Sequence, residues 1–238
     1  MRELFSEKKI SAVVLAAGRG SRMNSDTPKQ YMELLGHPLI YYTLKAFEES
    51  SVDEIVLVVE PGTEKAVRKN IVEKYSFDRV TSIVPGGSER YLSVYNGIKA
   101  ATGRYVLIHD GARAFVTPDL IERMAEGVLT SSCIAAVPAK DTIKTGKRGF
   151  VEDTLDRSCL YIVQTPQAFD RRKLLSAYYD LEGHDDLIRS ITDDSMIMEH
   201  AGERVRLIDG EYTNIKVTTR EDLLFGEAIL KSRENKLS

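Results

Sequence analysis

The chain has 238 residues, a formal net charge of −3, and 42% hydrophobic against 29% charged residues. This slightly acidic balance argues against a general nucleic-acid binder, so any phosphate site must come from a local cluster of cations. No segment approaches the roughly 18 apolar residues of a membrane span, and the two cysteines, Cys133 and Cys159, are too few for a metal cluster. Because the N-terminus also lacks a signal-peptide core, the sequence predicts a cytoplasmic protein with neither nucleic-acid nor membrane partners.

Along the chain, short runs rich in valine and isoleucine alternate with amphipathic stretches. The apolar runs predict strands at residues 10–15, 54–59, 80–84, 105–108 and 134–137. The amphipathic stretches predict helices at residues 38–49, 63–75, 89–101 and 118–130. This alternation implies right-handed crossovers and an α/β fold, in which a mostly parallel twisted sheet carries helices on both faces. Ligands of such sheets bind beyond the carboxyl ends of the strands.

The alternation stops after Ala139, where charged residues interleave with apolar ones over residues 140–163. This segment predicts a projecting β-arm that packs against a second subunit across a two-fold axis, with a solvated surface hairpin as the alternative. Helices are then predicted at 171–179, 193–200 and 220–230, around a strand at 204–208. Residues 164–169, between the arm and the first of these helices, are predicted to form a polar turn.

A glycine-rich segment follows the first predicted strand, over residues 15–30. Gly18 and Gly20 permit a close approach of the backbone to a ligand, and Arg19, Arg22 and Lys29 supply positive charge. The segment lacks the Gly-Lys-Ser/Thr of a P-loop and the third glycine of a dinucleotide motif. We interpret it as a loop that holds a nucleoside triphosphate, and a glycine turn with solvated basic residues is the alternative.

Further polar clusters fall near predicted strand ends. Residues 85–90 combine two glycines with the start of a helix, which presents N–H groups to an anion. Asp110 follows the fourth strand, where a carboxylate either holds Mg²⁺ or caps a helix. Lys216 lies near the end of an alternating run, where a lysine is either solvated or functional. The four histidines show no paired spacing for a metal, and no G-x-S-x-G elbow is present.

Taken in order, these motifs resemble the bacterial 2-C-methyl-D-erythritol 4-phosphate cytidylyltransferase family over nearly the whole chain. The matching segments are Leu-Ala-Ala-Gly-Arg-Gly-Ser-Arg-Met (15–23), Pro-Lys-Gln-Tyr (28–31), Gly-Gly-Ser-Glu-Arg with a serine three residues later (86–93), His-Asp-x-Ala-Arg (109–113), Asp-Thr-Ile-Lys (141–144), Thr-Leu-x-Arg (154–157), Gln-Thr-Pro-Gln-x-Phe (164–169), Thr-Asp-Asp (192–194) and Lys-Val-Thr (216–218). The resemblance implies one Rossmann-like nucleotidyltransferase domain over residues 1–238, with the arm at about 140–163. It also implies transfer of CMP from CTP to a sugar-alcohol phosphate with release of pyrophosphate.

The resemblance further implies roles for individual residues. The residues implied in catalysis are Arg22, Lys29, Arg157 and Lys216. Those implied in nucleotide binding are Ala16, Ala17, Gly18, Gly20, Gly87, Ser88 and Ser93. Those implied in acceptor binding are Asp110, Arg113, Thr142, Arg157 and Lys216. Asp110 would also help to place Mg²⁺, and Thr142 and Arg157 would reach the acceptor phosphate in the neighbouring subunit of a homodimer.

Two positions depart from the family pattern. The family usually has Ala-Ala-Arg-Pro after His-Asp, where this chain has Gly111 to Ala114, and it commonly has an aspartate at the position of Leu92. The missing proline predicts a looser loop around Arg113, which bears on the identity of the acceptor. Two alternatives therefore stay open: a ribitol-5-phosphate cytidylyltransferase and a non-catalytic nucleotide-binding protein.

Overall fold

The computed structural model describes residues 8–18, 28–181 and 183–237. Its strands, in chain order, are β1 (Ile10–Ala16), β2 (Glu33–Leu34), β3 (His37–Pro38), β4 (Glu54–Val59), β5 (Val80–Pro85), β6 (Tyr105–Asp110), β7 (Cys133–Pro138), β8 (Lys144–Lys147), β9 (Phe150–Thr154), β10 (Tyr161–Asp170) and β11 (Arg206–Asp209). Its α-helices are α1 (Leu39–Glu48), α2 (Glu64–Val67), α3 (Arg90–Ala100), α4 (Pro118–Val128), α5 (Arg171–Asp180), α6 (Asp185–Ser190), α7 (Asp194–His200) and α8 (Arg220–Leu237). A π-helical turn, Arg68–Glu73, continues α2. Within these ranges, no helix is both long and apolar enough to cross a membrane.

A seven-stranded sheet with the order β11-β7-β10-β6-β1-β4-β5 forms the centre of the fold. The pairs of β1 with β4 and β6, of β4 with β5, and of β11 with β7 are parallel, whereas β10 runs antiparallel to both of its neighbours. The predicted Rossmann-like α/β architecture, a mostly parallel sheet with helices, is therefore confirmed.

The central strands are buried on both faces, which explains why their sequences are almost continuously apolar. In β1, Ala12 and Val14 belong to the core beneath α1 and α4, while Val13 between them packs into the core beneath α3 and α5. A third cluster, around Phe115 and Val217, packs under α8. Two layers of helices thus cover the sheet and leave its strand ends open.

The polar turn predicted at 164–169 is wrong, because these residues lie inside the ten-residue strand β10. Their polar side chains are satisfied in the interior: Gln164 Nε2 donates to the Glu211 carbonyl at 2.8 Å, and Gln167 Nε2 donates to Asp193 Oδ2 at 2.8 Å. A polar run whose partners come from distant segments looks like a turn in the sequence. The register shift between Val163 and Gln167 is the local irregularity that accommodates it.

The predicted arm is present as the antiparallel hairpin of β8 and β9, but it is shorter than the predicted 140–163, because residues 161–163 belong to β10 and pair with β7. Arg148 and Gly149 form its turn with φ values of 52° and 84°, a conformation that glycine adopts without strain. Both strands are exposed along their whole length. The hairpin therefore contributes little to the core of its own chain.

Parallel pairing places the carboxyl ends of β1, β4, β5 and β6 at one edge of the sheet. The segments that follow these strands include Ala17, Glu60, Gly86 and Gly111. Backbone hydrogen bonds join them across this edge, from Gly86 N–H to the Val59 carbonyl and from Gly111 N–H to the Leu15 carbonyl. This edge is where the candidate site lies.

Candidate active site

A cavity of about 690 Å³ opens at the carboxyl edge of the sheet. It brings together nine of the residues to which the sequence assigns roles: Ala16, Ala17, Gly18, Lys29, Gly87, Ser88, Ser93, Asp110 and Lys216. The cavity is also lined by Leu15, Gln30, Glu60, Pro61, Gly86, Glu89, Arg90 and Ala112. Gly20 and Arg22 lie outside the described residues, so their roles stay predictions.

The end of β1 packs tightly against the turn that follows β5. A Cβ on Gly86 would lie 2.4 Å from the Cβ of Ala17, so only glycine fits at this contact. The N–H of Gly87 donates to Ser93 Oγ at 3.0 Å, and the Ser93 hydroxyl donates to the Glu89 carbonyl at 3.2 Å. These contacts join the two glycine segments into one wall of the cavity.

Gln30 ties the segment containing Lys29 to the end of β1. Its side chain is buried, and its Nε2 donates to the carbonyls of Ala16 and Gly18 at 2.6 and 3.1 Å. Because Lys29 precedes this anchor directly, its side chain is held at the mouth of the first glycine segment, where it lines the cavity. The anchoring role of Gln30 depends on its burial, which the sequence does not show.

Asp110 forms the centre of a charged cluster on a second wall of the cavity. Its Oδ2 lies 2.6 Å from Lys216 Nζ, and its Oδ1 lies 3.5 Å from Arg90 Nε. Burial alone would raise the pKa of this carboxyl group, but the charges of Arg90 and Lys216 outweigh burial and hold the pKa well below its usual range. Asp110 is therefore a carboxylate with two cationic partners.

Arg90 also connects this wall to the interior. Its Nη1 and Nη2 atoms lie 3.1 and 2.8 Å from the two carboxylate oxygens of Asp194, whose side chain is completely buried. Tyr178 donates its hydroxyl to Asp194 Oδ1 at 3.2 Å. Arg90 thus holds a buried carboxylate on one side and faces Asp110 on the other. The sequence does not reveal this pairing of Arg90 with Asp194, because 104 residues separate the two partners.

A family model described as IspD, 2-C-methyl-D-erythritol 4-phosphate cytidylyltransferase, matches residues 10–232. The chain belongs to this family. Similar sequences include proteins named 2-C-methyl-D-erythritol 4-phosphate cytidylyltransferase from Lachnoclostridium phytofermentans, 45% identical over 96% of this chain and 99% of the relative, and from Alkaliphilus oremlandii, 46% identical over 94% and 96%.

Solved structures of the same family resemble the fold. A crystal structure of 4-diphosphocytidyl-2C-methyl-D-erythritol synthase from Anaerococcus prevotii aligns with a TM-score of 0.79 at 34% identity, covering 94% of this chain and 99% of the other. The 2-C-methyl-D-erythritol 4-phosphate cytidylyltransferase from Thermus thermophilus aligns with a TM-score of 0.75 at 27% identity, covering 92% and 98%. The likeness extends over nearly the full length of each chain.

The departure from the family pattern after Asp110 has a local explanation. A Cβ on Gly111 would lie 2.8 Å from the Leu15 carbonyl oxygen and 2.8 Å from a methyl group of Ile40, so glycine fits where the family usually has alanine. Ala114, at the position of the missing proline, is buried in the cluster with Phe115 and Val217. Ala114 thus packs into this cluster, and the looser loop that the missing proline predicts stays a prediction.

Arg113 is not among the described residues that line the cavity. Its Nη1 donates to the Asn214 carbonyl at 2.8 Å and its Nη2 to the Val163 carbonyl at 3.2 Å. Burial lowers the pKa of this guanidinium, with Asp110 opposing the shift. In this arrangement Arg113 ties two neighbouring segments together, and the structure does not bring its side chain into the cavity with Asp110 and Lys216.

Thr142 and Arg157 lie on and beside the arm, and neither is among the described residues that line the cavity of their own chain. Both are exposed, and Arg157 Nη1 donates to the Lys140 carbonyl at 2.6 Å. Within one chain, Thr142 and Arg157 therefore lie apart from the nine predicted residues that line the cavity.

Proposed function

We propose that this chain transfers CMP from CTP to 2-C-methyl-D-erythritol 4-phosphate and releases pyrophosphate. The observation that carries the proposal is the assembly of two glycine segments, Lys29, Asp110 and Lys216 around one cavity, in a chain of this family. An acceptor phosphate with a second pKa near 6 is largely dianionic at neutral pH, so the reaction needs no general base. Positioning and positive charge are the main requirements.

The wall formed by β1 and the turn after β5 is proposed to bind CTP. Ala16, Ala17 and Gly18 line the cavity at the end of β1, and Gly87, Ser88 and Ser93 line it beside the contact between Gly86 and Ala17. Glycine in these segments permits close approach of the backbone to a nucleotide. Gly20, in the undescribed segment, is proposed to bind the nucleotide as well. Lys29, with Arg22 from the same undescribed segment, is proposed to stabilise charge on the α-phosphate during transfer.

The second wall, around Asp110, is proposed to bind the acceptor. Lys216 presents an ammonium group to the acceptor phosphate, while the Asp110 carboxylate accepts hydrogen bonds from the acceptor's hydroxyl groups. Because Asp110 is ionised and held by Arg90 and Lys216, it is already in the state that accepts hydrogen bonds. Arg113 would contribute by fixing the loop that carries Asp110.

The surroundings of Asp110 fit a divalent cation that is bound mainly by substrate phosphates. Its Oδ2 is engaged by Lys216, whereas the approach of Arg90 to Oδ1 is longer and leaves lone pairs for a further ligand. Mg²⁺ commonly uses one or two protein carboxylates together with substrate phosphates. In the described ranges, no group of three or more His, Cys, Asp or Glu residues forms a metal centre of its own. We propose Mg²⁺ as a cofactor that neutralises phosphate charge when it is bound.

Thr142 and Arg157 are proposed to act on the acceptor phosphate in a second subunit, within a homodimer formed through the arm at 140–163. The support is the exposure of apolar side chains there: Phe150 is 79% exposed and Val151 is 64% exposed. Contiguous exposed apolar surface is typical of protein interaction sites. A two-fold interface would carry each arm toward its partner's cavity.

The decisive experiment measures pyrophosphate release from CTP and Mg²⁺ with two acceptors side by side. We expect turnover with 2-C-methyl-D-erythritol 4-phosphate, the acceptor that the family model and the relatives favour. Turnover with ribitol 5-phosphate alone would assign the chain to the alternative activity. Calorimetric binding of CTP without turnover of either acceptor would instead indicate a non-catalytic protein. A parallel assay with a metal chelator tests the Mg²⁺ requirement. We expect activity to be lost when the chelator is added and to recover when excess Mg²⁺ is restored.

The role of the arm is tested by mixing two inactive variants, Lys29→Ala and Arg157→Ala. If Arg157 serves the neighbouring site, random exchange gives half heterodimers with one intact site in two, and activity should recover to roughly a quarter of wild type. Each variant incubated alone is the control. No recovery, despite heterodimers demonstrated by native mass spectrometry, would show that Arg157 does not act across the interface.

A further inference from the structure

His109 is the buried neighbour of Asp110 at the end of β6, and its imidazole is completely inaccessible. Its Nε2 lies 3.1 Å from the Arg113 carbonyl oxygen, and its Nδ1 lies 3.1 Å from Thr165 Oγ1. Since a carbonyl can only accept, Nε2 must carry the ring proton and donate it. Nδ1 is then the acceptor, and it receives the hydrogen of the Thr165 hydroxyl group.

These directions fix a third hydrogen bond. Because the Thr165 hydroxyl donates to His109, its oxygen is available to accept the backbone N–H of Asp110, at 3.0 Å. With Nε2 donating to a carbonyl and Nδ1 accepting from a hydroxyl group, these contacts permit a single, neutral tautomer of the imidazole.

The contacts of His109 belong to a closed ring of hydrogen bonds. The Thr165 carbonyl accepts from Asn214 Nδ2 at 2.8 Å, the Asn214 carbonyl accepts from Arg113 Nη1 at 2.8 Å, and the Arg113 carbonyl accepts from His109. The four members come from β6 and its following loop, from β10, and from the segment before Lys216. Asn214, like His109, is completely buried.

We propose that His109 is a positioning residue. Its neutral imidazole closes this ring of hydrogen bonds and thereby fixes the positions of Asp110 and Lys216 relative to each other on the wall that is proposed to bind the acceptor. The inference rests on the proposed function, because it concerns how that site handles its acceptor. His109 is not among the described residues that line the cavity, so it acts through Asp110, Thr165 and Asn214. A displacement of about 1 Å in reacting groups costs on the order of a hundredfold in rate, which gives the ring its importance.

The first test reads the tautomer directly and requires no turnover. Long-range ¹H–¹⁵N spectra of the histidine-labelled protein should show one histidine as the neutral Nε2–H form. Loss of this signal in His109→Gln assigns it. A protonated ring, or an Nδ1–H tautomer, at pH 7 would overturn the proposal whether or not the chain transfers CMP.

The second test removes the two hydrogen bonds of His109 one at a time. His109→Asn keeps an acceptor near the Nδ1 position for Thr165, and His109→Gln keeps a donor near the Nε2 position for the Arg113 carbonyl. We expect each variant to lower kcat or raise the KM for the acceptor by about 10–100-fold. The KM for CTP should change by less than about twofold, because the CTP wall makes none of these contacts. His200→Gln, on an exposed histidine of α7, is the matched control and should match wild type.

A separate pair of variants decides the matter if the His109 variants do not fold. Thr165→Val removes the hydroxyl group that joins His109 to Asp110, and Thr165→Ser retains it. Rescue by serine of the acceptor-specific defect supports the ring, and a serine variant no better than valine overturns it. Folded variants with only a lower melting temperature and unchanged kinetics would also overturn the proposal. A wild-type protein inactive with every polyol phosphate would refute the proposed function and leave the spectroscopic test to decide the ring.

Discussion

Two buried carboxylates at opposite edges of the same sheet differ in the groups that satisfy them. Glu54 opens β4 at the amino edge, where it accepts from the Ser11 hydroxyl at 2.5 Å and from the Thr102 N–H at 2.7 Å. Asp110 closes β6 at the carboxyl edge and lies between the cations Arg90 and Lys216. The donors of Glu54 are mostly neutral, and Lys9 at 3.3 Å is its charged partner.

The difference in partners indicates that Glu54 stabilises the fold, whereas Asp110 serves the candidate active site. Neutral donors use up the lone pairs of Glu54 and leave nothing for a ligand, so this group ties three segments of the fold together. The partners of Asp110 line a cavity, where their charge is available to a substrate. Substitutions at the amino edge should therefore change the free energy of unfolding, and those at the cavity should change catalysis.

The largest effect is expected where the carboxyl edge meets the interior, at Arg90. Arg90→Met leaves the completely buried carboxylate of Asp194 without its cation, which should lower the free energy of unfolding by about 3–5 kcal/mol. The lower end of that range is expected, because about a third of the Arg90 side chain remains exposed. Urea unfolding measures the change.

Arg104→Met is the control for Arg90, since it breaks an exposed ion pair with Asp170 at 3.4 Å and should cost less than about 1 kcal/mol. Equal losses in the two variants would contradict the importance of the buried pair. Arg90→Lys should be intermediate, because a lysine keeps the charge but not the two-point contact with the carboxylate.

The second-largest effect is expected for a substitution of Lys216, which should change catalysis and not stability. Lys216→Met leaves the Asp110 carboxylate facing the phosphates without its closest cation, and kcat/KM should fall by about 10²–10³-fold, or roughly 3–4 kcal/mol. The melting temperature should change little, since Lys216 is partly exposed and Asp110 keeps Arg90. Pyrophosphate release measures the rate.

Lys231→Met is the matched control for Lys216, because Lys231 forms an exposed pair with Glu227 on α8 at 2.6 Å. This variant should retain the wild-type rate. A Lys216→Met variant within tenfold of wild type would mean that the acceptor wall does not depend on this ammonium group.

The sequence predicted one wall of the site better than the connections behind it. Ala16 to Gly18 and Gly87 come just after predicted strands, and Ser93 lies in the predicted helix that follows one of them, so strand order alone places them at one edge. Arg90 with Asp194, and His109 with Thr165 and Asn214, are joined only by the folded chain, because their partners lie on distant segments. The strand β10 was missed for the same reason: its polar side chains are typical of a turn until partners from other segments satisfy them.

The smallest effect is expected at the amino edge. Glu54→Gln replaces a charged acceptor of several hydrogen bonds by an amide, which should lower the free energy of unfolding by about 1–3 kcal/mol. Its kcat and KM values should match wild type, since Glu54 lies at the end of the sheet opposite the cavity. Glu203→Gln, on an exposed partner of Lys173, is the control and should leave both stability and rate unchanged. A catalytic defect in a folded Glu54→Gln protein would contradict the division between the two edges.

The pH dependence of the unfolding free energy, compared between wild type and Glu54→Gln, tests the structural role of the amino edge further. Burial opposes ionisation of Glu54, but hydrogen bonds from Ser11 and Thr102 outweigh it and lower the pKa from 4.5 to about 2. A carboxyl group with a depressed pKa in the folded state stabilises the protein fully above its ordinary pKa, and this contribution is lost as the pH falls through the folded value. The difference in unfolding free energy between wild type and Glu54→Gln should therefore be constant near neutrality and shrink from about pH 4.5 toward pH 2. A difference that stays constant throughout this range would mean that the charge of Glu54 does not stabilise the amino edge.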